Sequence, residues 1–474
     1  MAYIYGQRNQ VQMFPSSIEE YIFSDDPVRV YDAFVEQLDL AGLGISLDED
    51  QVGPPEYDPR AMLKLLVYGY SYGIRSSRKL ERALYHNLSF IWLLGGLKPD
   101  HKTISGFRRD NLDALKKILR QCARLCLRLD LIDGNVLFVD GTKIGANASL
   151  TRTLSRSDAL KLLEKADRRI EEILSEAEAV DQAEGKSPSL VHLQDELADV
   201  RRLRDKVGDV LKEIDESDRK VINMTDPECC HIQRGRVFMA GYNMQAVVDD
   251  KNGLIVQAEV NDKVVDVKQF RAQVDEANKT LGQKCQTACA DAGYASTEDL
   301  KAVREQGINV IVPSQDQARH KEPGPFDRSK FNYDKEHDCY ICPEGQRLSY
   351  RKTDYQAKSR CYQISRASIC HVCRYYGECT RAKDGRAIVK LLDQESKEYF
   401  EANYAKPESQ LIYRRRKDRV EHPFGHIKYN MGAKSFLLRG LKGAGGEAGL
   451  LATCFNLTRA INILGAEKLV QAWS

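Results

Sequence analysis

Three carboxylates in separated stretches of this chain stand where one metal site could collect them: Asp140, Asp291 and Glu421. Asp140 ends the apolar run Val136-Leu137-Phe138-Val139 and precedes Gly141-Thr142. Asp291 follows Thr287-Ala288-Cys289-Ala290 and opens Asp291-Ala292-Gly293-Tyr294. Glu421 lies in a basic stretch from Tyr413 to Lys428 that holds Arg414, Arg415, Arg416, Lys417 and Arg419. Two carboxylates at strand ends and a third among cations suit phosphodiester chemistry on DNA. Such chemistry needs an activated water or hydroxyl and neutralised charge at the leaving oxygen. Two divalent ions about 3.5–4 Å apart do both, and hard Mg2+ or Mn2+ prefers carboxylate ligands. If Glu421 is helical, it shares a face with Lys417 one turn before it, and Lys428 lies two turns further on. Those cations can hold the phosphates that flank a scissile bond.

Each of these residues has a plainer reading. An isolated Asp after a strand is usually a loop or cap residue, and Arg414 to Arg419 by itself is equally a solvated helix face. Asp262, Asp266, Asp133 and Glu408 are rival acids near the same segments, without the same flanking pattern. His422 and His426 read as DNA contacts or helix-face residues rather than metal ligands.

The elements that would position the carboxylates can be followed along the chain. Residues 1–130 read as an all-α N-terminal domain. Asp58-Pro59 and Asp100 mark helix starts, and Ser76-Ser77 marks another. Helices with basic ends such as Arg108-Arg109 suit a DNA-binding domain, and a plain packing or dimerisation domain is the alternative. From residue 131 a strand leads to Asp140. Phe238–Val248 and Leu254–Val260 form a hairpin, followed by a helix to Leu281, a strand to Ala290, a helix over 297–306 and a strand over 309–312. Three strands, helix, strand, helix, strand is an α/β order that fits a ribonuclease-H-like catalytic core, spread over 131–154, 220–315 and 391–474.

Two insertions interrupt that core. Residues 155–219 carry the apolar stripes Leu160, Leu163, Ile170, Leu174, Ala177 and Leu190, Leu193, Leu197, Val200, Val207, Leu211, Ile214. With a Gly185–Ser189 turn between them, they predict a coiled-coil-like helical hairpin. Residues 316–390 are Cys-rich, with Cys339-x2-Cys342, Cys361, and Cys370-x2-Cys373-x5-Cys379. Cys342, Cys370, Cys373 and Cys379 are the favoured set for a structural Zn2+, with Cys339 as the main rival. Reduced, partly buried thiols are the alternative.

Composition sets the frame. A chain of 474 residues exceeds one ordinary core, so two to four domains are expected. Charged residues make up 30% of the chain and nearly balance, at a net +2, so any nucleic-acid footprint must be local. No run reaches the roughly eighteen apolar residues of a membrane span. Met1–Gln12 lacks a secretory pattern. A cytoplasmic, nucleoid-associated protein with no membrane partner is expected, and its thirteen cysteines are read as reduced.

With these motifs in view, the chain resembles the DDE transposases of bacterial insertion sequences, most of all the insertion-sequence family numbered eleven eighty-two. The likeness runs over nearly the whole chain. It is carried by Val139-Asp140-Gly141-Thr142-Lys143-Ile144 with Ala146-Asn147-Ala148-Ser149, Gly241-Tyr242-Asn243-Met244-Gln245 and Asp291-Ala292-Gly293-Tyr294. Arg419-Val420-Glu421-x2-Phe424-x3-Lys428, Thr103-Ile104-Ser105-x-Phe107-Arg108 and the Cys-rich insertion complete it. The resemblance implies that Asp140, Asp291 and Glu421 ligate two Mg2+ or Mn2+ ions. It also implies hydrolysis at the element's ends, attack of the freed 3′-OH on target DNA, and a homodimer on double-stranded DNA. Lys428, Lys417, Arg416, Arg419, Arg108 and Arg109 are the expected DNA contacts. Related enzymes carry Tyr-x2-Arg-x3-Glu-x6-Lys; here Glu421 and Lys428 keep the spacing, but Lys417 and Arg414 stand at the Arg and Tyr positions, with Tyr413 one residue early. A non-catalytic DNA-binding descendant of a transposase, and a metal-dependent nuclease without strand transfer, are the alternatives.

Overall fold

The computed structural model describes residues 17–45, 56–182, 188–235, 237–319, 324–356 and 358–473. In chain order the helices are α1 (Val28–Glu36), α2 (Leu40–Leu43), α3 (Pro59–Ser71), α4 (Ser77–His86), α5 (Leu88–Leu93), α6 (His101–Asp110), α7 (Leu112–Arg128), α8 (Arg156–Gln182) and α9 (Pro188–Glu216). After them come α10 (Phe270–Leu281), α11 (Thr297–Arg304), α12 (Gln315–Ala318), α13 (Ala367–His371), α14 (Gln394–Ala405), α15 (Pro407–Gly425), α16 (Gly440–Leu464) and α17 (Ala466–Trp473). The chain divides into two compact units, one built from Met1–Asp266, Asp275–Cys285 and Lys417–Ser474, the other from Val267–Val274 and Gln286–Arg416.

In the first unit the N-terminal helices start where their caps dictate. Asp58 accepts from Arg60 N ahead of Pro59, and Asp100 accepts from Thr103 N at 2.7 Å. These helices do not stand apart from the rest of the unit. α1, α3 and α7 pack against α16, which is buried from Gly443 to Leu457. A Cβ on Gly446 would come within 2.8 Å of Leu112 O, and one on Gly449 within 2.7 Å of Leu115 O. The α7–α16 crossing is therefore backbone against backbone, which only glycine permits. Arg75, in the connection between α3 and α4, and Glu447 of α16 make a second tie. Their side chains meet at 2.6 Å, and Arg75 also donates to the carbonyls of Gly432 and Ser435.

The sheet of this unit is organised about β5 (Val237–Asp249). β1 (Val136–Gly145), β4 (Cys230–Arg234) and β6 (Ile255–Asn261) all pair with it antiparallel. Asn456 of α16 donates to Ile255 O and accepts from Ile255 N, which satisfies the backbone where the β5–β6 register slips. The short pair β2 (Thr153–Ser155) and β3 (Val221–Asn223) forms the stem of the α8–α9 hairpin. Its core is Leu154, Ala159, Val207, Val210, Ile214 and Ile222. Of the second predicted stripe, Val207 and Ile214 are buried and Leu193, Leu197, Val200 and Leu211 half-buried, whereas the first is rotated. Leu160 and Leu174 are 42% and 41% exposed, while Ala159, Ala166 and Ile173 are buried at seven-residue steps. The seam therefore runs through Ala159, Ala166 and Ile173, with Leu163 packed against it from the side. The turn expected at Gly185–Ser189 lies partly outside the described residues.

In the second unit β7 (Thr287–Ala290) and β8 (Asn309–Ile311) are parallel, joined through α11. Asn403 of α14 donates to Val310 O at 2.8 Å. The Cys-rich segment contains more regular structure than its spacing suggests. β9 (Asn332–Asp334), β10 (Cys339–Ile341), β11 (Arg347–Asp354), β12 (Ser359–Ile364) and β13 (Ala387–Leu391) form an antiparallel five-stranded meander.

Candidate active site

Asp140 sits in the middle of β1, opposite Ala246, and not at a strand end as the Gly-Thr step after it suggested. The ladder continues because Gly141, Thr142 and Lys143 find partners in Gln245, Met244 and Asn243. Alternation along the strand puts Asp140 and Thr142 on one face and Gly141 and Lys143 on the other.

Two contacts fasten the C-terminal part of α15 and the π-helical turn after it along β1. Lys428 Nζ donates to Thr142 Oγ1, and Arg419 Nε lies 3.3 Å from Asp250 Oδ1. Asp250 itself donates its N–H to Val136 O at 3.0 Å, at the start of β1. Glu421 lies between the two anchors on the helix, and Asp140 lies between Val136 and Thr142 on the strand. Val420, Phe424 and Ile427 are buried and set the rotation of this segment. Glu421 itself is exposed. Asp140 is half-buried, with Oδ1 accepting from Gly141 N at 2.8 Å. His422 and His426 each pack edge-on against Phe455 of α16 at 5.6 Å.

Behind Asp140, on the other face of β1, is a network that the sequence reading did not assemble. Asp266 Oδ1 accepts from Asn243 Nδ2 and Gln245 Nε2, both at 2.7 Å, and lies 3.6 Å from Lys143 Nζ. Burial pulls the Lys143 ammonium below its ordinary pKa, and the Asp266 charge only partly offsets this. Asp266 had appeared only as a rival acid, and Asn243 and Gln245 only as part of a motif. Nothing in their spacing shows that they converge.

In the second unit Asp291 follows β7 and caps the 3-10 turn Ala292–Tyr294, accepting from Gly293 N at 2.8 Å. Tyr413 of α15 is close enough to feel the charges of Asp291 and Cys289. Burial foremost pushes its phenol pKa up, with Arg416 opposing. The Arg416 guanidinium lies 5.5 Å from the Tyr413 ring centre. The Tyr-x2-Arg spacing is thus kept as a stacked pair near Asp291, out of step by one with Glu421.

The predicted DNA contacts separate by burial. Lys417, Arg414 and Arg415 are exposed, and Arg109 is exposed beside Asp110 at 2.9 Å. Arg419 is committed to Asp250. Arg108 is corrected outright: at 6% exposure its guanidinium donates to Tyr70 Oη and Arg75 O, which makes it a core residue of the helical bundle. Cys342, Cys370, Cys373 and Cys379 line one cavity, which Cys339 and Cys361 do not. Among the described residues no three His, Cys, Asp or Glu side chains are gathered as a metal-ligand group.

Comparison with known proteins supports a class. Residues 341–461 match the family model described as a transposase DDE domain, and residues 16–110 match one described as a transposase domain (DUF772). The first segment contains Glu421 and Lys428, and Asp140 and Asp291 lie outside both. The matches support a DDE transposase. No curated protein matches the chain. Among solved structures it is similar to the piggyBac transposase in a synaptic complex with hairpin DNA, at 10% identity and a TM-score of 0.33 over 95% of this chain and 79% of that one. Among the described residues no helix is long and apolar enough to cross a membrane.

Proposed function

We propose that the protein is a DNA transposase of the insertion-sequence type, with Asp140, Asp291 and Glu421 as its catalytic carboxylates on a ribonuclease-H-like core. The observation that carries this reading is the fastening of the α15 segment along β1 through Lys428–Thr142 and Arg419–Asp250. It sets Glu421 and Asp140 on adjoining elements of one unit. The donor set is all carboxylate, which fits Mg2+ or Mn2+ and suits soft metals poorly. Two such ions, when bound, activate the attacking oxygen and neutralise charge on the leaving one.

The chain's own residues have separable tasks. Asp140 is held by the β1–β5 ladder and the Asp266 network behind it. Glu421 comes from a helix whose rotation is set by Val420, Phe424 and Ile427. Lys417 and the exposed Arg414 and Arg415 offer charge to DNA phosphates, with Arg416, Lys428 and Arg109 adding to that footprint. Water breaks a phosphodiester at an element end and frees a 3′-OH. That hydroxyl then forms a new P–O bond in target DNA as the target's own P–O3′ bond breaks and leaves a new 3′-OH. Acting on two ends calls for two copies on DNA, and a nucleoid location follows from that substrate.

The test is a labelled terminal-repeat duplex incubated with protein and Mg2+ or Mn2+. Metal-dependent nicking that is lost in Asp140→Asn, Asp291→Asn and Glu421→Gln supports the reading. Nicking that persists in all three removes these residues from the chemistry.

A further inference from the structure

The meander β9–β13 closes on a small core of Phe331, Tyr340, Leu348, Tyr362, Ile364 and Ile388. The connection from β12 to β13, residues 365–386, has only the five-residue α13 as helix. A connection of this length with so little regular structure is uncommon in a compact fold, and small cores are regularly fastened by a metal or a disulfide. Cys370, Cys373 and Cys379 lie in it. Cys342 lies across from them in the β10–β11 turn, and all four are unbridged. The four thiols line one cavity with Ile364, Ile369 and Leu348 at its apolar wall.

The backbone around the sulfurs is already arranged for thiolates. Gln346 N donates to Cys342 Sγ at 3.3 Å, and Arg386 N donates to Cys370 Sγ at 3.4 Å. The first belongs to a tight turn, Cys342-Pro343-Glu344-Gly345, closed by Gly345 N to Cys342 O at 2.8 Å with Gly345 at φ +76°. Amides aimed at sulfur orient metal ligands and stabilise their charge. Cys339 and Cys361 lie on β10 and β12 within the sheet, away from the cavity.

We propose that Cys342, Cys370, Cys373 and Cys379 bind one structural Zn2+ and so tie the 365–386 connection to the β10–β11 turn. The thiols line the cavity without yet converging, and binding draws each to about 2.3 Å from the ion as its proton leaves to solvent. Four protein ligands leave no open position, so the ion is not part of phosphodiester chemistry. The site therefore stands or fails independently of the transposase reading.

The test uses the untagged full chain, purified under reducing conditions and dialysed. Metal analysis should find about one zinc per chain, released only as a mercurial titrates the thiols. The Co2+-exchanged protein should show thiolate-to-metal charge transfer and tetrahedral ligand-field bands. Cys373→Ser and Cys379→Ser should lose the metal, while Cys339→Ser and Cys361→Ser should keep it. Wild type with no zinc after repletion, or zinc lost from Cys339→Ser and kept in Cys373→Ser, overturns the proposal. If the cavity variants do not fold, the wild-type Co2+ spectrum decides: bands of a tetrathiolate support the site, and an octahedral spectrum without charge transfer refutes it.

Discussion

Gly141 has no room for a side chain, because the carboxylate of Asp266 and the amide of Gln245 occupy the space a Cβ needs, at 2.8 Å and 2.4 Å. Both are movable ends of side chains, so Gly141→Ala is tolerated only by breaking their hydrogen bonds. The expected cost is about 1–3 kcal/mol in denaturant unfolding. An unchanged midpoint would mean that the network behind Asp140 is not stabilising. The carboxylates differ from Gly141 in kind. Asp140→Asn and Glu421→Gln should leave the unfolding midpoint near wild type, since Glu421 is exposed and Asp140 half-buried. Strand cleavage should fall about a thousandfold or more, the several kcal/mol that metal-ion catalysis supplies. Equal loss of stability and activity would assign them a structural role instead. Arg108 shows where residue type misleads: a basic residue at a helix end reads as a DNA contact until Tyr70 and the Arg75 carbonyl are seen around it.

At the scale of elements, a buried ion pair ties the α3–α4 connection to α16, in addition to the α7–α16 crossing. Arg75 and Glu447 are 8% and 0% exposed at the side chain. Glu447 also accepts from Leu437 N and Leu438 N. Glu447→Ala leaves Arg75 uncompensated, and a loss of about 3–5 kcal/mol is expected by denaturant unfolding; a loss below 1 kcal/mol would contradict this. A second prediction concerns α15 and the turn after it. Burial lowers the His422 and His426 pKa values, with Arg459 adding at His422 and His422 adding at His426. A folded pKa below the unfolded one means that stability is complete above the unfolded value and is lost as pH falls through the folded one. Thermal midpoints should therefore drop on acidification below about 6.5. The double variant His422→Gln/His426→Gln should flatten that dependence, and a profile as steep as wild type would contradict it.

Much of this level was legible in the sequence. Caps at Asp58 and Asp100 and the hairpin of β5 with β6 follow from local chemistry. The length of β1 beyond Asp140 did not, because pairing with Gln245 and Asn243 overrides the turn preference of Gly-Thr. Leu160 and Leu174 misled because they lie one residue after Ala159 and Ile173, so the exposed stripe and the buried seam share the same period. Nor did the spacing of cysteines reveal the strands β9–β13 that separate them.

For the molecule as a whole, the α8–α9 hairpin has its own core, closed by Leu154 and Ile222 on the paired strands β2 and β3. Replacing residues 156–216 by a short Gly/Ser turn between those strands should leave the remaining fold intact, read as an unchanged near-ultraviolet dichroism per tyrosine. Global unfolding of that variant would show the hairpin to be part of the main core. The net charge of +2 gives little long-range attraction to DNA, so the proposed DNA binding calls for local cations such as those of α15. The most direct measurement is an in vitro reaction of the full chain with labelled terminal-repeat DNA, supercoiled target and Mg2+ or Mn2+, wild type beside Glu421→Gln. Metal-dependent end cleavage and joining to target, both lost in the variant, is the predicted result. Cleavage without joining would make the protein a nuclease, and binding without cleavage in either form would contradict a catalytic role for Glu421 altogether.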